Sequence, residues 1–252
     1  MNTTDELLYE VSAGIATITI NRPDARNALN AAVRSGIGKA LESFNDDVQA
    51  KVLIITAKGN VAFSAGADLK EMSEQRLGIP PDDFISDLKS KKPVIAAVNG
   101  VALGGGFFLA QNADLVVAAS HATFGITEAR YGRGAPWAAP LPLMIPPRIA
   151  LELLLTAQPI TAFRALDIGL VNYVVPSSEL TSTSRTLALQ IAANAPLSVA
   201  AGKAMVRQTL EAVLGDGEER AKKIWEPVYV SDDAQEGPQA FKEKRQPRWQ
   251  GR

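Results

Sequence analysis

Apolar positions fall in two rhythms along the first half of the chain. Residues 14–20 (GIATITI) alternate β-branched and smaller side chains, while 52–56 (VLIIT), Val94–Val98 and Leu115–Ala119 are continuous apolar runs. Runs of this length and kind predict short strands, the continuous ones buried on both faces. Between them the period lengthens. Val33, Ile37, Leu41 and Phe44 recur at helical spacing after Asn30, and residues 106–112 read as the opening of another helix. Strands alternating with helices predict an α/β core.

The second half has a different texture, with the change near residues 140–147. Helical patterns dominate from Arg148 onward, at 149–155, 162–167, 179–194 and 197–214. Thr161 and Ser178 are candidate N-caps, Gly169 a candidate helix stop, and 170–175 a lone extended segment. Pro136, Pro140, Pro142, Pro146 and Pro147 make the one compositional anomaly. The expected organisation is an α/β core over residues 1–195 and a helical C-terminal part over 196–252.

Composition narrows the function classes. The 252 residues carry 26 Lys plus Arg against 27 Asp plus Glu, a formal net charge of -1. That balance offers no support for a nucleic-acid surface, although it leaves room for one phosphate-bearing ligand. With no cysteine there is no disulfide framework, thiolate zinc site or cysteine nucleophile. The first ten residues are polar and acidic and predict no signal peptide, and Asn99 with four glycines in 94–110 argues against a membrane span. A cytoplasmic protein with no membrane partner is expected. No His/Asp/Glu cluster has metal-ligand spacing, and no Ser-His-Asp arrangement assembles. His121, the only histidine, reads as a surface or turn residue rather than a base.

Two segments have the make-up of a ligand site. In Ala65-Gly66-Ala67-Asp68-Leu69-Lys70-Glu71, Asp68 and Glu71 have the spacing of a capping box, which leaves N–H groups near Ala67 exposed at a helix start. In Asn99-Gly100-Val101-Ala102-Leu103-Gly104-Gly105-Gly106, three glycines in a row expose N–H groups with no side chain in the way. One donor from each segment would make an oxyanion hole, and losing one such donor typically raises a barrier by ~2.7–4 kcal/mol. The plainer reading is that the glycines only permit tight helix–strand packing.

Taken together, these segments resemble the enoyl-CoA hydratase/isomerase (crotonase) superfamily. The resemblance rests on Asn21-Arg22-Pro23 with Asn27-Ala28-Leu29-Asn30, Phe63 through Leu69, Asn99 through Gly106, and Thr123-Phe124-Gly125 with Glu128. It continues through Thr161 to Val171, then Glu236-Gly237, Ala240-Phe241 and Glu243-Lys244-Arg245, in family order over nearly the whole chain. It implies a core of repeated β-β-α turns, a helical C-terminal part used for trimerisation, and a homo-trimer or a hexamer built as a dimer of trimers. It maps the oxyanion donors onto the N–H groups of Ala67 and Gly105. It places Arg26, Ala28, Ala65, Asp68 and Leu69 along the coenzyme A site, with Phe241 and Lys244 reaching a CoA of this or a neighbouring subunit. No cofactor is implied, coenzyme A being part of the substrate. Lys244 is also compatible with a solvated face beside Lys242, Glu243 and Arg245.

The pattern breaks at one informative place. Family hydratases carry two glutamates that together hold a water. Here the first position is Phe108, and only Glu128 matches the second. One carboxylate can still move a proton from one atom to another, so hydration and double-bond migration of an enoyl-CoA both remain, with Glu128 as the proton carrier. Phe108 beside it predicts a desolvated carboxyl with a raised pKa. The alternative for Glu128 is an ordinary carboxylate paired with Arg130 or Arg133. The segment 131–147 also departs from the family form and shapes the acyl pocket, where Tyr131 and Trp137 either line the substrate or simply pack. An acyl-CoA hydrolase or C–C lyase of the same fold, a catalytically silent acyl-CoA-binding protein and a scaffold without CoA are the rival readings.

Overall fold

The computed structural model describes residues 5–74, 88 and 90–252. A hairpin opens the chain, β1 (Leu7–Ser12) with β2 (Ile15–Ile20), turned by Ala13 and Gly14 at φ 52° and 76°. Positive φ at both central residues gives the turn a twist that matches right-handed strands. α1 (Ala31–Asp46) follows, with the Asn30 side chain accepting from the Val33 N–H at 3.0 Å.

One step is then repeated. β3 (Val52–Ala57) leads to β4 (Ala62–Ser64) and α2 (Leu69–Glu74), and β5 (Val94–Val98) leads to β6 (Val101–Leu103) and α3 (Gly105–Asn112). β7 (Leu115–Ala119) leads to β8 (Thr123–Gly125) and a 3-10 turn over Glu128–Tyr131. This is the β-β-α repeat expected from the family resemblance. After it come α4 (Leu141–Met144), α5 (Pro147–Thr156), β9 (Ile160–Thr161), α6 (Ala162–Asp167) and β10 (Tyr173–Val175). The chain finishes in four helices, α7 (Leu180–Ala192), α8 (Pro196–Leu214), α9 (Gly217–Val230) and α10 (Asp233–Lys242).

The long strand of each repeat joins a sheet of order β1-β2-β3-β5-β7-β10, parallel from β2 onward, and the short strand joins a second sheet of order β4-β6-β8-β9. Both faces of the first sheet are covered, which explains the continuous apolar runs. Leu53, Ile55, Ala96 and Val98 pack with Val33, Ile37, Leu41 and Phe44 of α1. Ile54, Ile95, Ala97 and Val117 pack with Leu180 and Ala188 of α7. Phe44 is wholly buried, and burying a side chain of that size contributes about 3 kcal/mol. Asp114, just before β7, accepts from Lys203 at 2.6 Å and Arg207 at 3.0 Å and so ties α8 to the core.

Several local expectations hold and others need correction. Thr161 caps α6 by accepting from the Arg164 N–H, and Gly169 ends it at φ 80°. Ser178 does not cap α7; it lies inside a 3-10 turn, and the helix begins after Glu179 with no side-chain cap. The segment 170–175 is not a lone strand, because β10 pairs with β7 at the sheet edge. Among the described residues no helix is long and apolar enough to cross a membrane.

Candidate active site

The repeat brings the loop after β4, the N-terminus of α3 and the turn after β8 to one cleft of about 2180 Å³. Gly66, between β4 and α2, has φ 93°, and a Cβ there would lie 2.9 Å from the Leu103 carbonyl oxygen and 3.2 Å from the Gly105 nitrogen. The backbone preceding Ala67 therefore runs directly against the first residue of α3. Gly105 opens that helix, so its N–H has no earlier helical carbonyl to reach. Among the described residues, no turn, loop or cap hydrogen bond uses the N–H of either Ala67 or Gly105.

Glu128 closes the third side. A Cβ on Gly104 would sit 3.2 Å from Glu128 Oε1, which places the carboxylate against the backbone just ahead of Gly105. Oε2 is buried with no hydrogen-bond partner among the described residues, so that oxygen is held by neither Arg130 nor Arg133. Burial pushes the carboxyl up from 4.5 to about 7, and hydrogen bonds from the Trp137 side chain and nearby backbone offset only part of this. The desolvation expected from the aromatic neighbour is present, since Phe108 and Trp137 line the same cleft with rings 5.8 Å apart.

The three consecutive glycines divide their work. Gly106 serves packing, because a Cβ there would collide with the Ser64 carbonyl oxygen, whereas Gly104 and Gly105 line the cleft. Asn99 and Gly100 are structural too. The Asn99 amide donates to the carbonyls of Ala57 and Gly59, and Gly100 lies against the Val61 backbone. At the other end, α10 holds the Glu128 turn in place. Gly237 has room only for hydrogen against the Tyr131 backbone, as Gly132 does against the Asp233 carbonyl.

Arg26, Ala28, Ala65, Asp68, Leu69, Phe108, Tyr131, Trp137 and Phe241 all line this cleft with Ala67, Gly105 and Glu128. Burial alone would raise the Asp68 carboxyl. Hydrogen bonds from the Arg22 guanidinium and from the Glu71 and Lys70 amides outweigh it and hold the group below its ordinary value. Glu71 does not reach back to complete a capping box; it pairs with Arg34 at 3.1 Å. Tyr131 and Phe241 meet edge to face at 5.9 Å, so Phe241 does approach the site from α10. Lys244 is exposed just past that helix and does not line the cleft. His121 is an exposed clip, with Nε2 2.7 Å from the Asn60 carbonyl oxygen and Nδ1 3.0 Å from the Ser177 hydroxyl.

Gln111 and Tyr229 are among the lining residues that the sequence did not assign to the site, and Arg133, which it offered only as an ion-pair partner for Glu128, lines it too. Arg133 is buried with its guanidinium 4.9 Å from the Tyr229 ring centre, and the Tyr229 hydroxyl donates to the Gly134 carbonyl at 2.9 Å. Tyr229 lies on α9, far along the chain, and nothing local marked it. Gln111 did carry a signal, as a polar residue one helical turn beyond Phe108 in an otherwise apolar run. Among the described residues no group of three or more His, Asp or Glu side chains is placed to hold a metal ion.

The sequence model of the family described as enoyl-CoA hydratase/isomerase matches residues 10–252. A carnitinyl-CoA dehydratase of Salmonella paratyphi A is 43% identical over 255 residues, covering 94% of this chain and 95% of its own. Among solved structures, a carnitinyl-CoA hydratase from Mycobacterium avium matches with a TM-score of 0.88 and 39% identity, covering 99% of this chain and 100% of its own. An enoyl-CoA hydratase/isomerase from Xanthobacter autotrophicus Py2 matches at 0.89 and 32% identity, covering 96% and 94%.

Proposed function

This chain belongs to the enoyl-CoA hydratase/isomerase family and is an acyl-CoA enzyme of that type, and from there we propose that it adds water to an enoyl-CoA, or removes it, with one carboxylate, Glu128. The observation that carries this reading is a buried Glu128 oxygen with no hydrogen-bond partner among the described residues, in the same cleft as two backbone N–H groups that no turn, loop or cap hydrogen bond among those residues uses.

The N–H groups of Ala67 and Gly105 hold the thioester oxygen. As the oxygen of water bonds to the β-carbon, Glu128 takes one of its protons and the π electrons move to give an enolate, whose charge the two donors stabilise. Glu128 then returns that proton to the α-carbon, regenerating the carboxylate and completing the addition of one water. Dehydration is the reverse. Arg26, Ala28, Ala65, Asp68 and Leu69 follow the coenzyme A moiety, with Phe241 contributing from the C-terminal end and Lys244, outside this cleft, reaching the coenzyme A of a neighbouring subunit. Phe108, Tyr131 and Trp137 surround the acyl part. A homo-trimer or a hexamer of two trimers fits the apolar side chains left exposed on α8 and α9, among them Leu197, Met205, Val213 and Ile224.

Double-bond migration is the second reading, favoured by Phe108 standing where family hydratases have a second carboxylate. It uses the same hole and the same proton carrier, which takes a proton from one carbon and gives it to another. Turnover of 3-enoyl-CoA but not trans-2-enoyl-CoA would select it. Turnover of neither would point to another acyl group, as in a hydrolase or C–C lyase, or to a protein that only binds acyl-CoA.

A raised carboxyl pKa has consequences of definite sign. The base must be ionised, so kcat/KM for hydration rises with pH through about 7 and then levels off. Folding stability moves the other way. Between pH 4.5 and about 7 the folded protein keeps a proton that an exposed glutamate has released, so stability is lost as pH rises through that window. The loss is on the order of 3 kcal/mol. Glu128→Gln has no such proton to lose. Denaturant unfolding at pH 5 and pH 8 is therefore expected to give a smaller drop for the variant than for the wild-type protein.

A further inference from the structure

Gln111 lies on α3 one turn beyond Phe108, in the wall of the cleft, and is 4% exposed. Its Nε2 donates to the Trp137 carbonyl oxygen at 3.1 Å. A carbonyl oxygen only accepts, so the amide can face it with nitrogen alone, and the orientation of the group is fixed. Oε1 is left buried with no partner among the described residues, as Glu128 Oε2 is. Trp137 bears on both residues: its carbonyl accepts from Gln111, and its side chain offsets part of the effect of burial on the Glu128 carboxyl. A buried acceptor without a donor carries a desolvation penalty that an apolar side chain would avoid. Two such oxygens on residues that line one cleft make a surface complementary to a ligand that brings O–H groups.

We propose that Gln111 is a specificity-determining residue whose Oε1 accepts a hydrogen bond from the O–H at the β-carbon of the acyl chain, in the 3-hydroxyacyl-CoA and in the water that becomes that hydroxyl. In hydration one proton of the water faces Glu128 Oε2 and is transferred, while the other faces Gln111 and stays on oxygen as the C–O bond forms. Gln111 itself exchanges no proton. The amide thereby supplies the second water contact that Phe108 cannot, and it favours hydration over double-bond migration, which brings no O–H group to the site. The inference rests on the reading of this cleft as an acyl-CoA site.

The test compares two activities that share Glu128 and the oxyanion donors. Hydration of trans-2-enoyl-CoA needs a held water; exchange of the α-protons of a saturated acyl-CoA in deuterated water does not. In Gln111→Met, hydration is expected to fall about tenfold more than exchange, the scale of one lost hydrogen bond. An equal fall in both, or no fall in hydration, overturns the proposal. The wild-type protein gives an independent arm. As inhibitors, a 3-hydroxyacyl-CoA should compete about tenfold more tightly than the saturated thioester of equal length, and equal inhibition overturns the proposal even if the variant fails to fold. Exchange without hydration in the wild-type protein defeats this inference alone, whereas neither activity defeats the acyl-CoA enolate reading as well.

Discussion

Glu128→Gln is expected to lower kcat for enoyl-CoA hydration by about 10²–10⁴-fold, with a much smaller change in KM. Glutamine keeps the size of the side chain and its hydrogen-bonding oxygen, so the cleft should retain its shape and its thioester contacts. What it loses is the ability to take a proton from water and return it to carbon. Phe108 offers no substitute, and His121 is tied to Asn60 and Ser177 away from the cleft lining. A companion observation would be disappearance of the pH dependence near 7, since the group responsible would be gone. Steady-state kinetics across pH 5 to 9 would check both. A variant that keeps the wild-type rate would mean that another group carries the proton.

Gly66→Ala is expected to be nearly as damaging, lowering kcat by about 10²–10³-fold, the scale of one lost oxyanion donor. At φ 93° the position suits glycine, and the new methyl would come within 3.2 Å of the Gly105 nitrogen and 2.9 Å of the Leu103 carbonyl oxygen, both fixed backbone atoms. Either the methyl covers the donor or the loop carrying Ala67 moves away from it. In both cases one N–H no longer points where charge develops, while Glu128, on a different element, is untouched. The kinetic signature is therefore a loss in kcat with an unchanged pH profile, which separates this variant from Glu128→Gln. Gly106→Ala would tell a different story. Its Cβ meets Ser64 rather than the cleft, so the damage would appear in folding before chemistry.

These contrasts also explain how far the sequence could be read. The buried strands β3, β5 and β7 and the face of α1 were legible because each is an uninterrupted apolar run or a clean helical stripe. The strands β4, β6 and β8 are three residues each, too short for any periodicity to register, and they belong to the second sheet that positions the site. The β1 hairpin turns on Ala13-Gly14 instead of a stronger turn pair, and α9 and α10 each carry an internal proline, Pro227 and Pro238, where sequence rules end a helix. Within the site, the glycine run signalled close approach but not which glycine approaches what. Gly104 meets a carboxylate and Gly106 meets a strand, a distinction that depends on helix phase and tertiary placement. Gln111 is not legible as a site residue because a polar residue near a helix end normally faces water; here the Pro136–Ala138 turn covers it and leaves one amide oxygen buried with no partner among the described residues.

The most direct measurement is mass-resolved turnover of trans-2-enoyl-CoA in deuterated water by the wild-type protein and Glu128→Gln. One carboxylate serving both steps predicts a 3-hydroxyacyl-CoA with a single carbon-bound deuterium from the wild-type protein, and almost no product from the variant. Equal product from the variant, or no hydrated product from the wild-type protein, would contradict the assignment of Glu128 as the single proton carrier of an enoyl-CoA hydration.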